Sequence, residues 1–183
     1  PGVYAKDVIL KVIGTLGADY GVYQAVEFAG PLLEGLGVAE RMTLCNMTTE
    51  MGAKTAYIQP DHVTFDFLRD KVKLESPAVT TDPGYRYAAE HTFDVTGLKP
   101  QLAVPHSVDN VSDITAYLGR PINQAFLGTC TGGRVEDLAV AESREARPGE
   151  GEAAGEGCRG RGDPGEVEVA EDLLDPLPLR GRR

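Results

Sequence analysis

The sequence predicts an α/β fold, a mostly parallel sheet covered by helices, and three observations carry that expectation. Segments of helical period alternate with short apolar runs along residues 1–142. Glycine, proline and aspartate separate the two kinds of segment at nearly every boundary. A last apolar run passes through a glycine-rich bend into a further helical period, the strand–turn–helix order of a βα unit. In such folds ligands gather at the carboxyl ends of the strands.

Residues 6–16 place Val8, Ile9, Val12, Ile13 and Leu16 on one stripe, the pattern of a helix laid against a core, with Asp7 as a cap or first-turn residue. Residues 21–29 carry Val22, Tyr23, Val26 and Phe28 and read as a strand ending at Gly30 and Pro31. Residues 38–53 read as a second helix, with Met42, Cys45, Asn46, Thr49, Glu50 and Ala53 at spacings of three and four. Asn46 and Glu50 share a face in that reading.

Residues 55–59 read as a strand, and Asp61 caps a helix reaching residue 71. Residues 87–95 form a further strand and 97–105 a loop. A helix is expected within 109–118, and the run 122–127 reads as a compact strand before the bend 128–133. Helical period resumes over 135–142.

A formal net charge of -10 argues against a nucleic-acid partner, which needs a basic surface to displace phosphate counterions. No apolar run approaches the roughly 20 residues that cross a bilayer, and no secretory signal pattern opens the chain. A cytoplasmic setting is expected. The cysteines Cys45, Cys130 and Cys158 are too scattered for a disulfide framework, which leaves thiols for metal or chemistry.

From Ser143 onward the composition changes. Residues 143–183 hold seven arginines, no lysine and no aromatic residue, with a heavy load of glycine, glutamate and proline. On composition such a stretch cannot bury enough apolar surface to offset its ordering entropy, so the tail is expected to be disordered. Two origins stay open: a real acidic low-complexity segment, or a frameshifted reading of a GC-rich gene. Continuous in-frame coding DNA would exclude the second.

Cys130 stands where a predicted strand gives way, through the bend, to a helix whose amides and dipole stabilise a thiolate. A lone cysteine in such a turn is more often inert, a helix-face amide such as Asn46 more often satisfies a loop backbone, and a helix carboxylate such as Glu50 more often stands exposed. The surrounding words of the sequence reverse that weighting. KDVILKVIG (6–14), VEFAGP (26–31), MTLCNMTTEMGAKTAYIQPD (42–61) and FLGTCTGGRVEDL (126–138) stand in the order and spacing of the aconitase superfamily. The chain resembles its large-subunit form, the 3-isopropylmalate dehydratase and homoaconitase type, over nearly all of residues 1–140 and none of the tail.

The resemblance implies an incomplete aconitase-type α/β/α domain over 1–142, followed by the tail 143–183. It implies a 4Fe-4S cluster held by three thiolates, Cys130 matching the first, with one iron open to a hydroxy-di- or tricarboxylic acid. An open iron acts as a Lewis acid on the substrate hydroxyl, so dehydration needs no redox change. Asn46 and Glu50 match residues on the cluster side of the pocket, the glutamate placed to hydrogen-bond the departing or arriving water. A small swivelling-domain subunit is the implied partner.

Departures from the family pattern matter. The other two cluster cysteines belong to a CxxC motif that this chain lacks, and Cys158 stands alone. Gly132 replaces the asparagine common at that position. Cys45, beside Asn46 but pointing about 100° away on a helix, reads as a small core residue. His62, His91 and His106 do not cluster at ligand spacing, and Arg134, Glu136 and Asp137 read as the ordinary start of a helix. The chain alone is therefore expected to be inactive, and a non-catalytic α/β remnant or interaction module is the competing reading.

Overall fold

The computed structural model describes residues 2–73, 78–129, 131–145 and 166–173, with backbone alone for 144–145 and 166–173. Helix α1 (Ala5–Leu16) forms on the predicted stripe and buries Val8, Ile9, Val12 and Ile13. Asp7 fixes its start: one carboxylate oxygen accepts the Tyr4 N–H at 2.7 Å. The other accepts the Gln101 N–H at 2.7 Å, which ties α1 to a segment 94 residues away. Burial pushes the Asp7 carboxyl above its ordinary value, against the pull of those N–H groups.

Helix α2 (Val38–Met47) is shorter than the predicted 38–53. Thr48 and Thr49 turn their hydroxyls back onto the Cys45 and Asn46 carbonyls at 2.7 and 2.8 Å, and the chain tightens into a 3-10 turn over Thr48–Met51. Gly52, at φ 85°, then stops it in the left-handed conformation. Helix α3 (His62–Leu68) carries the expected Asp61 cap, whose side chain accepts the Val63 and Thr64 N–H groups, but ends before residue 71. Helix α4 (Val135–Glu145) runs three residues past the predicted 142.

Strand β1 (Gln24–Ala29) starts later than residue 21, because Tyr23 sits at φ 64° and cannot extend the ladder. Strand β2 (Thr55–Ile58) lies parallel to it, Val26 opposite Ala56 and Phe28 opposite Ile58. Val26 and Phe28 point into the core formed with Ile9, Val12, Ile13 and Leu44. The opposite side of β1 presents Glu27, whose carboxylate accepts from the Thr81 and Tyr87 hydroxyls. One face of the sheet is thus covered by helices. At Glu27 the other meets the segment before strand β3 (Ala89–Asp94).

Two expectations fail between residues 97 and 118. The predicted loop contains strand β4 (Gln101–Ala103), and the predicted helix is instead strand β5 (Val111–Asp113) followed by a 3-10 turn over Ile114–Tyr117. β4 and β5 pair antiparallel, Leu102 opposite Ser112. Their ribbon presses on α1 so closely that a Cβ at Gly14 would lie 2.6 Å from the Val111 Cβ. Backbone ties from distant parts of the chain, rather than local period, decide this region.

The predicted strand 122–127 is not one. Among the described strands none pairs with it, and Ile122 and Phe126 are 78% and 80% exposed. An apolar run supplies strand propensity but not a partner, and without a ladder the propensity has nothing to act on.

The tail, expected without order, contributes one element. Strand β6 (Glu166–Leu173) stands between β1 and β3 in the sheet order β2-β1-β6-β3, antiparallel to both neighbours. Positions 167 and 169 come opposite Phe93 and Phe28, at the alternation the words EVEV provide. Composition averaged over forty residues hides that short period. β1, β2 and β3 all run one way with β6 reversed between two of them, so three of the four described strands share a direction while two of their three pairings are antiparallel.

Candidate active site

Helix α2 sets the site. Its inner side buries Leu44 and Met47 in the core, and that fixes which side faces outward. Met42, Asn46, Thr49 and Glu50 are the exposed residues of this stretch. Asn46 and Glu50 are therefore both exposed, but they stand on different kinds of turn. A 3-10 segment winds about 120° per residue against about 100° in an α-helix, so Glu50 is rotated further from Asn46 than uninterrupted helix would place it.

The N-terminal half of the same helix receives the glycine-rich bend. Arg134 donates from Nη1 to the Ala39 carbonyl and to Thr43 Oγ1, both at 2.7 Å, across more than 90 residues of sequence. Thr43 in turn donates to the Ala39 carbonyl at 3.2 Å, so the three groups form a closed set. Ala39, Thr43 and Asn46 follow one another at spacings of four and three on α2. The bend is docked one turn before Asn46.

The bend is itself tightly closed. Thr129 takes φ 72°, a left-handed value uncommon for a β-branched residue. Gly133 lies so near it that an added Cβ would stand 2.8 Å from the Thr129 carbonyl oxygen. The Arg134 N–H donates to Asp137 Oδ2 at 3.0 Å, which starts α4 and bears out Asp137 as a first-turn residue. Cys130 lies between Thr129 and Thr131 in sequence but outside the described residues, as does Cys158. Beside the bend, Lys6, Thr43, Phe67, Thr131 and Arg134 line part of a cavity of about 650 Å³. Sequence reasoning missed Arg134 and Thr43; their pairing joins segments too distant for any local pattern to signal.

Cys45 is half-buried, and burial pushes its thiol up to about 11. His91 is taken up by the Tyr20 hydroxyl at 2.7 Å, away from α2. Among the described residues, no group of three or more His, Cys, Asp and Glu converges as a metal site. The chain holds no CxxC pair, and Cys45, Cys130 and Cys158 are scattered through the sequence, so the three thiolates that the resemblance implies for a 4Fe-4S cluster are not all supplied by matching motifs here. The donor set of this chain alone does not fit that cluster. No helix among the described residues is long and apolar enough to cross a membrane.

The profile of the aconitase family (aconitate hydratase) matches residues 1–119 of the chain. The chain belongs to the aconitase family. It is 49% identical over 140 residues to the 3-isopropylmalate dehydratase large subunit 1 of Methanopyrus kandleri, covering 76% of this chain and 34% of that protein. It is 48% identical over 141 residues to the probable methanogen homoaconitase large subunit of Methanosarcina mazei, covering 77% of this chain and 36% of that one. With the 3-isopropylmalate dehydratase large subunit of Methanoregula boonei the identity is 42% over 139 residues, 76% of this chain and 33% of the relative. The chain thus spans about a third of the length of the curated relatives it matches.

Proposed function

We propose that this chain is the part of a cytoplasmic hydro-lyase large subunit that presents Cys130, Asn46 and Glu50 to a hydroxy-di- or tricarboxylic acid. The leading substrate is 3-isopropylmalate, which places the chain in leucine biosynthesis; the substrate of a homoaconitase is the alternative. The observation that carries this reading is the docking of the Cys130-bearing bend, through Arg134, onto the helix that exposes Asn46. The names of the relatives support the same class.

Dehydration breaks the C–O bond of the substrate hydroxyl and a C–H bond on the neighbouring carbon. In this reading the Asn46 amide donates to a substrate oxygen, and the Glu50 carboxylate accepts from the O–H of the water that leaves or attacks. The proton from carbon goes to a base outside the segments described here. The aconitase family generally depends on a 4Fe-4S cluster, and this chain lacks the CxxC motif that the resemblance assigns to two of its ligands. The remaining ligands and a small subunit are therefore required, and the isolated chain is inactive.

The test is a graft. Residues 1–140 replace the matching stretch of the Methanopyrus kandleri large subunit, and the product is assayed with its small subunit. Turnover of 3-isopropylmalate is expected, falling about 100-fold or more in kcat with Glu50→Gln or Asn46→Ala, the usual cost of removing a polar group that meets the transition state. A folded graft without turnover, or variants that turn over at the full rate, would refute the proposal.

A further inference from the structure

We propose that the exposed apolar residues between Leu118 and Leu138 are a docking seam for the remaining part of a large subunit, which lays a β-strand along residues 122–127 and covers the Val135 and Leu138 side of α4; the inference rests on the reading above, that this chain is part of such a subunit. Three observations carry it. The core stops early: among the described residues no buried apolar side chain lies beyond Phe93, and none beyond Val111 packs against that core. The large apolar residues that follow, Leu118, Ile122, Phe126, Leu127, Val135 and Leu138, are all exposed. About two thirds of the Methanopyrus kandleri large subunit lies outside the stretch that this chain matches, ample chain to cover them.

The kind of partner follows from what is uncovered. Residues 122–127 carry no charged side chain, and among the described strands none pairs with them, so backbone donors and acceptors stand open beside apolar side chains. An added strand satisfies both at once: its main chain completes the ladder and its alternate side chains cover Ile122 and Phe126. Val135 and Leu138 stand three apart on α4 and share a side of it. In an α/β fold the helix after a strand lays such a stripe on the sheet, and a partner that extends 122–127 into a sheet brings the surface this stripe needs. Soluble chains seldom leave so long an apolar stretch to water, and an interface of this composition resembles a domain core cut in half.

The experiment compares amide exchange, read by mass spectrometry, in the full chain and in the graft of residues 1–140 into the Methanopyrus kandleri large subunit. In the full chain the amides of residues 122–127 are expected to exchange close to the unstructured rate, and the chain to sediment as a monomer. In the graft the same amides slow at least about 100-fold. Ile122→Asp with Phe126→Asp leaves the thermal midpoint of the full chain within about 1 °C, since both side chains already stand in solvent, and lowers that of the graft by more than about 5 °C. Fast exchange of 122–127 in a folded graft overturns the seam. So does slow exchange there in the full chain, whether as a dimer, where a second copy takes the surface, or as a monomer. Exchange is read independently of turnover: an active graft with fast exchange at 122–127 refutes the seam and spares the functional reading, whereas a protected graft without turnover does the reverse.

Discussion

Arg41 and Asp61 meet through two parallel hydrogen bonds of 2.7 Å, Nη1 to Oδ1 and Nη2 to Oδ2, with the arginine side chain 6% exposed and the aspartate 34%. The same guanidinium donates to the Leu36 and Leu33 carbonyls at 3.0 and 2.8 Å. It therefore joins α2, the turn before it and the cap of α3. Removing one partner leaves a buried cation without its counter-charge.

Asp61→Asn is expected to destabilise the chain by about 3 kcal/mol, since breaking a buried pair costs more than the pair contributes against an apolar replacement. The amide also turns two donors toward a guanidinium that has only donors. Urea unfolding followed by circular dichroism measures the loss. A change below about 0.5 kcal/mol, the range of ordinary surface substitutions, would show that the pair is not what holds α3 to α2.

The same contact sets a pH dependence. Hydrogen bonding from Arg41 holds the Asp61 carboxyl down at about 2, below its ordinary 3.8. A carboxyl lowered by folding contributes stability above its unfolded value, and that contribution is lost as pH falls from about 4 to about 2. Asp7 has the opposite sign: burial raises it, so its ionised form opposes folding and protonation relieves that cost. Denaturant midpoints followed across this range should fall with acid in the parent chain and flatten in Asp61→Asn. Parallel curves for the two proteins would reject the assignment.

Cys45 should resist alkylation. With its thiol pushed up to about 11, the thiolate fraction at pH 8 is small, and iodoacetamide should modify it at least ~10-fold more slowly than an ordinary exposed thiol. Peptide mass mapping over a time course distinguishes it from Cys130 and Cys158. Modification of Cys45 as fast as the quickest of the three would contradict the burial that sets its acidity.

Strand β6 offers a backbone test. Val169 is paired with Phe28 on one side and His91 on the other, a central position where proline removes a ladder donor. Val169→Pro should destabilise the chain by at least about 1 kcal/mol, the loss of one ladder hydrogen bond, and speed amide exchange in Ala89–Asp94, because among the described strands β3 pairs with β6 alone. Unchanged exchange in that segment would mean that β3 does not depend on the tail.

What the sequence made legible divides along physical lines. Helix α1 and the Asp61 cap were readable because their signals are local: an apolar stripe in one case, a carboxylate before free amides in the other. Asn46, Glu50 and Cys130 were singled out only through motif, since position alone favoured ordinary structural roles for each. Strands β4 and β5 carry three residues each, too few to show a period, and are fixed by Gln101 on Asp7 and Val111 on Gly14. Residues 122–127 misled for the converse reason, an apolar run without a partner. Arg134 on Thr43 and Arg41 on Asp61 depend on chain segments that meet only after folding, which no local period records.

The order in which the ribosome releases this chain differs from the order of its sheet. β2 and β1 are complete by residue 58, and β3 by residue 94, yet the strand that joins them ends at residue 173. Until residues 166–173 emerge, the facing backbone rows of β1 and β3 wait with open donors and acceptors, the kind of surface that recruits neighbouring chains. Synthesis therefore passes through an interval of association risk that lasts until residues 166–173 are available, and a slow stretch of translation between residues 94 and 166 would lengthen it.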